Sequence, residues 1–76
     1  MNNTRRKALR EIAEQIESLR DELEALRDEE DEYRDNIPEN MQSGERYEQS
    51  EEASSNMEDA ISSIEDAIAS IEEATA

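Results

Sequence analysis

Cysteine, histidine, tryptophan and phenylalanine are all missing from this chain of 76 residues. Without cysteine there is no disulfide and no thiolate, and redox usage says nothing about the compartment. Without histidine the commonest general acid–base group is gone as well. Glycine and proline occur once each, the only aromatic residues are two tyrosines, and no apolar run is long enough to span a bilayer. Basic residues are also scarce: 8 Lys and Arg stand against 23 Asp and Glu, a formal net charge of -15. A field of that sign repels nucleic acid and membrane surfaces and attracts basic ones. The expected partner is therefore a basic protein surface, with no direct nucleic-acid contact and no membrane. The opening "MNNTRRKALR" has no apolar run behind its basic residues, so it does not read as a signal peptide, and the expected location is cytoplasmic.

Low hydropathy and high charge alone would suggest disorder, but the apolar residues that are present are strictly periodic. Leu9, Ile12, Ile16, Leu19, Leu23 and Leu26 alternate at spacings of three and four, and Tyr33 resumes the series after Glu30. This is a coiled-coil seam with Leu9, Ile16 and Leu23 at a and Ile12, Leu19 and Leu26 at d. A first helix is expected over about residues 4–36, capped by Asn3 or Thr4. "NIPENMQSG", which holds the only Pro and the only Gly, marks a bend over residues 37–44. A second helix follows over about residues 45–75, with the seam Tyr47, Ser50, Ser54, Met57, Ile61, Ile64, Ile68, Ile71 and Thr75. Within it, "ASSNMED", "AISSIED" and "AIASIEE" repeat one helical unit.

The columns beside each seam indicate how the helices meet. In the first helix the e column is Arg6, Ala13, Arg20, Arg27 and Arg34; in the second it is Glu51, Glu58, Glu65 and Glu72. Antiparallel helices set e against e, so these columns are expected to meet as opposite charges. A parallel homodimer would instead set the Arg column against mixed Gln and Glu and leave the bend without a purpose. The fold class is therefore all-α, an antiparallel two-helix coiled-coil hairpin forming a single domain over residues 1–76. Pairing residues whose numbers sum to 80 sets Leu9 against Ile71, Ile12 against Ile68, Ile16 against Ile64, Leu19 against Ile61 and Leu23 against Met57. The same register puts Leu26 against Ser54, Glu30 against Ser50 and Tyr33 against Tyr47, so the two polar positions Glu30 and Ser50 share a layer, which disfavours a shifted register. Two helices bury only one stripe each, so hairpins are expected to pair as a homo-oligomer, a dimeric four-helix bundle, or to complete their fold on a target. The column Ala53, Ala60, Ala67 and Ala74, with Ala13 and Ala25, is the expected second contact face.

Three clusters could carry chemistry or recognition. "DEEDE", Asp28 to Glu32, offers carboxylates, but consecutive helical residues point around the cylinder instead of converging on a cation. The outward acids are Glu14, Asp21, Asp28 and Asp35 on the first helix and Glu45, Glu52, Asp59, Asp66 and Glu73 on the second, which with their acidic neighbours form an anionic rod with no basic residue from Tyr47 onward; Glu51, Glu58, Asp59, Glu65, Asp66, Glu72 and Glu73 are its expected contacts. Such a rod could occupy the nucleic-acid groove of a basic protein through the electrostatics that DNA uses. The basic tip Arg5, Arg6, Lys7 and Arg10 sits at a helix start, where the macrodipole disfavours cations; the register brings Arg6 beside Glu72 and near Glu73, and RNA or an acidic partner is the other reading. Tyr33 and Tyr47 cap the core or anchor a partner. No residue pattern points to catalysis, a cofactor or a metal, so a non-enzymatic protein is expected.

The segment "NIPENMQSGERYEQSEEA", with its distinctive words "NIPEN" and "ERYE", resembles the bend of small acidic helical-hairpin proteins of Gram-positive bacteria and their phages, and the resemblance covers the bend and both helices. In size and charge the chain also resembles phage anti-CRISPR and anti-restriction proteins, some of which mimic nucleic acid. Those resemblances imply a binding protein encoded by a phage or mobile element that inhibits a host nucleic-acid-binding effector. A structural self-assembly protein whose apolar or Ala faces make the contacts is the alternative.

Overall fold

The computed structural model describes residues 1–76 and consists of two long helices joined by one short turn. Helix α1 spans Asn3–Asp35 and helix α2 spans Glu45–Ala74, packed against each other along their length as an antiparallel hairpin. The result is a rod of 60 × 14 × 13 Å. No helix is long and apolar enough to cross a membrane. The start of α1 is capped one residue earlier than expected: Asn2, the last residue in extended backbone, accepts from the Arg5 N–H at 2.7 Å.

The bend is built from backbone hydrogen bonds around Pro38. Ile37 donates to the Arg34 carbonyl at 3.1 Å, and its own carbonyl accepts from the Gln42 side chain at 3.3 Å. Pro38 cannot extend α1, and a 3-10 turn at Glu39–Met41 follows, closed by Met41 N–H on the Pro38 carbonyl at 2.8 Å. Gly44 then opens α2 in extended backbone. Its role is one of space, since a Cβ there would stand 3.2 Å from the Met41 carbonyl oxygen that already accepts the Gly44 N–H.

Where α2 meets α1, Tyr47, Met57, Ile64 and Ile71 are half-buried and Ser50, Ser54, Ile61, Ile68 and Thr75 are buried. On α1 the inward positions are Leu9, Ala13, Ile16, Arg20, Leu23, Arg27, Glu30 and Arg34, with Arg6 half-buried at the open end. This corrects the expected core. The a column Leu9, Ile16 and Leu23 does face α2, but the residues beside it are the Arg and Ala column, and Ile12, Leu19, Leu26 and Tyr33 are 47%, 58%, 54% and 42% exposed. Helix α1 is turned about its axis by one column relative to a conventional a/d seam.

The physical reason lies in what α2 offers near the bend. Ser50 and Ser54 are small and polar, so they leave room for long side chains and supply hydrogen bonds to their heads. Arginine can then lay its methylene stem along the isoleucine ladder and keep its guanidinium at the edge. Arg20, Arg27 and Arg34 do so, with side chains 28%, 26% and 17% exposed. At the other end, Ala13 is the one buried residue of α1 and permits close approach. The interior that results is thin. Only Ala13, Ile61 and Ile68 are buried among apolar residues, and no large side chain is fully enclosed. Each half-buried Leu or Ile therefore contributes only part of the roughly 1.5–3 kcal/mol that full burial provides.

Candidate protein-binding faces

A polar network near the bend fixes the rotation of α1 and with it the two outer faces of the rod. The Arg34 guanidinium donates to Ser54 Oγ at 2.8 Å, to Asp31 Oδ1 at 2.9 Å and to the Ser50 carbonyl at 3.2 Å. Ser54 Oγ donates in turn to Asp31 Oδ1 at 2.7 Å, which closes a three-membered ring of side chains. One turn away Ser50 Oγ donates to Glu30 Oε2 at 2.6 Å, placing these two residues in the shared layer that their register requires. The hydrogen bond from Ser54, reinforced by Arg34, holds the Asp31 carboxyl below the usual carboxylate range. Burial opposes the charge on Arg34, but the hydrogen bond and field of Asp31, with the fields of Tyr47 and Glu51, keep it more firmly protonated. Arg27 is likewise held protonated, first by its hydrogen bond to Asp28 and then by the fields of Asp28, Glu58 and Glu24.

The expected cross-helix ion pairs do not form. The three ion pairs of the chain are Arg20–Asp21, Arg27–Asp28 and Arg34–Asp31, all within α1. Because the Arg column occupies the seam, it reaches Ser54 and the Ser50 carbonyl, while Glu51 and Glu58 act on it only through their fields. Arg6 does not pair with Glu72 or Glu73; its guanidinium donates to Asn3 Oδ1 at 3.2 Å. Arg5, Lys7 and Arg10 form no ion pair either. Within "DEEDE", Asp28 turns to Arg27, Glu30 to Ser50 and Asp31 to Arg34 and Ser54, three different directions.

One outer face is acidic. Glu51, Glu58, Asp59, Glu65, Asp66, Glu72 and Glu73 are all exposed. On α1 the neighbours of that edge are Glu17, Glu24 and Asp31, half-buried beside the seam, and Glu14, Asp21 and Asp28 farther out. Beyond Arg46 α2 has no cation to interrupt this surface.

The opposite face is apolar along its centre and uncharged along its α2 edge, with Glu22 and Glu29 on its α1 edge. Here Arg46 sits over the Tyr33 ring, 5.8 Å from its centroid, and an open groove nearby is lined by Glu30, Tyr33, Arg46, Gln49, Ser50 and Ala53. Stepping one heptad at a time from that contact puts Leu26 level with Ala53, Leu19 with Ala60 and Ile12 with Ala67. The Ala column thus borders the exposed Leu and Ile stripe, and Ala13 belongs to the seam. Beyond the Ala column lie Gln49, Asn56, Ser63 and Ser70, all uncharged. At the bend, Tyr33, Ile37, Pro38 and Met41 help line an open groove of about 560 Å³. Spacing alone missed the split between these faces, since it cannot say which column beside Leu9, Ile16 and Leu23 the hairpin covers.

Comparison with protein-family models, with curated proteins and with solved structures finds no significant match.

Proposed function

We propose that this chain is a non-enzymatic binding protein whose acidic face occupies a basic, nucleic-acid-handling surface of another protein and inhibits it. The observation that carries this reading is the side-by-side exposure of Glu51, Glu58, Asp59, Glu65, Asp66, Glu72 and Glu73 on a helix with no cation beyond Arg46. Carboxylates repeat along the rod in two columns on either side of the small residues Ser55, Ser62 and Ala69, and the α1 acids widen the band, so a groove lined by Lys and Arg would meet negative charge over several turns. The resemblance in the bend, together with size and charge, makes a phage or mobile-element inhibitor of the anti-CRISPR or anti-restriction type the favoured biological setting.

The test is capture by immobilised chain from the heparin-binding fraction of a bacterial lysate, compared with a Glu58→Lys, Glu65→Lys, Glu72→Lys variant. Support is a protein that is retained by the native chain, released by moderate salt, displaced by double-stranded DNA and lost with the triple variant. Equal capture by both chains, or indifference to DNA, defeats the proposal. The exposed apolar stripe of α1 favours a second reading, a self-assembling coiled-coil protein whose acids only keep it in solution.

A further inference from the structure

We infer that two copies of this hairpin pack through the stripe of α1 and the Ala column of α2, about a two-fold axis perpendicular to the rod at the level of Leu19 and Ala60. The inference is independent of the proposed role of the acids, because the two faces lie on opposite sides of the rod.

Four observations select a second copy as the occupant. The first is area. A compact monomer of 8.7 kDa exposes about 4,700 Å². The hairpin exposes 5668 Å², an excess close to the roughly 800 Å² that each partner covers in a standard stable interface. The second is charge. A basic target would call for acids around its docking face, but on the α2 side this face is bordered by Gln49, Asn56, Ser63 and Ser70. A chain of net charge -15 can approach a copy of itself there with little like-charge contact.

The third is symmetry. The stripe, extended by one heptad at its start, reads Arg5, Ile12, Leu19, Leu26 and Tyr33, and its midpoint is Leu19. The neighbouring column reads Arg46, Ala53, Ala60, Ala67 and Ala74, and its midpoint is Ala60. These midpoints are level, so one two-fold axis maps both columns onto themselves. Leu19 then meets Leu19 of the second copy, Ile12 meets Leu26, and Ala60 meets Ala60. The flanking α1 positions become Ala8 against Glu29 and Gln15 against Glu22, with no acid set on an acid.

The fourth is the unpaired basic tip. The axis reverses one α1 along the other, which brings Arg5 onto Tyr33 of the second copy and close to Glu29. Arg5, which finds no carboxylate within its own chain, thereby meets the acidic end of its neighbour.

The test combines sedimentation equilibrium of the full chain with cysteine cross-linking, which is clean because the chain has no cysteine of its own. The expected result is a dimer that persists in high salt, with Leu19→Glu weakening association by about 100-fold or more through charges forced together at the axis. Leu19→Cys and Ala60→Cys are each expected to oxidise to covalent dimers within minutes, and Asp21→Cys, on the outer face of α1, is not. Monomer at every concentration overturns the inference. So does a dimer in which Leu19→Cys cross-links no faster than Asp21→Cys, because that outcome places the axis elsewhere. Should Leu19→Glu fail to fold, the cysteine comparison still decides.

Discussion

At the residue scale, the closed ring of Arg34, Asp31 and Ser54 does more than any ion pair on the surface, because each member is held by two others. Its pH dependence follows from the lowered pKa of Asp31. Unfolded, that carboxyl titrates near pH 3.9, so the ring contributes fully above about pH 4. The contribution is lost as pH falls through the lower value of the folded state. Asp31→Asn is therefore expected to be less stable than the native chain at neutral pH, and the gap between them should close in acid. Urea unfolding followed by helical circular dichroism from pH 7 to pH 2 checks this; a gap that persists at pH 2 would show that the charge of Asp31 is not what matters.

Between the two helices, the most informative contrast is among residues of one chemical type. Ile61 and Ile68 are buried in the hairpin, whereas Ile12 is 47% exposed. Truncating Ile68 to Ala should cost about 2–4 kcal/mol at any protein concentration, since it removes side chain from the seam itself. Ile12→Ala should cost little in a dilute monomer and more as concentration rises. Thermal melts of both variants across a wide concentration range distinguish these behaviours, and equal losses under dilute conditions would contradict the rotation of α1 described above.

Much of this arrangement was readable from the sequence. The hairpin, the bend at Pro38 and the inward column of α2 follow from spacing and from two turn-forming residues, because α2 has one apolar face and acids beside it. For α1 the pattern is ambiguous for a definite reason. Leu9, Ile16 and Leu23 have apolar residues on one side and arginines on the other, and arginine stems cover apolar surface nearly as well as leucine. Only the placement of Ser50 and Ser54, which accept from Arg34 while the Ser50 hydroxyl donates to Glu30, selects the arginine side. The acids of the candidate face could be named in advance because exposure follows simply from their lying off the seam. The apolar face could not, because it is defined by what the seam leaves uncovered.

Viewed as a whole molecule, the rod has its longest run of carboxylates on one side and its unspent apolar surface on the other. Repulsion among 23 acids against 8 bases opposes compaction, and salt screens it over about 10 Å at 0.1 M. Melting temperature should therefore rise by several degrees between 10 mM and 500 mM sodium chloride, a range that scanning calorimetry covers. A fall with salt would mean that attraction between the Arg column and Glu51 and Glu58 outweighs the net repulsion.

The confinement of every Lys and Arg to positions at or before Arg46 has one more consequence. A protease that cuts after basic side chains finds sites throughout α1 and one at the entrance to α2, then none. When such an enzyme catches the chain open, α2 beyond Arg46 comes away uncut with nine exposed acids, the seven of the proposed contact face among them. Turnover of this kind would dismantle the helix that orients the acidic face and leave that face's carboxylates intact on a loose peptide.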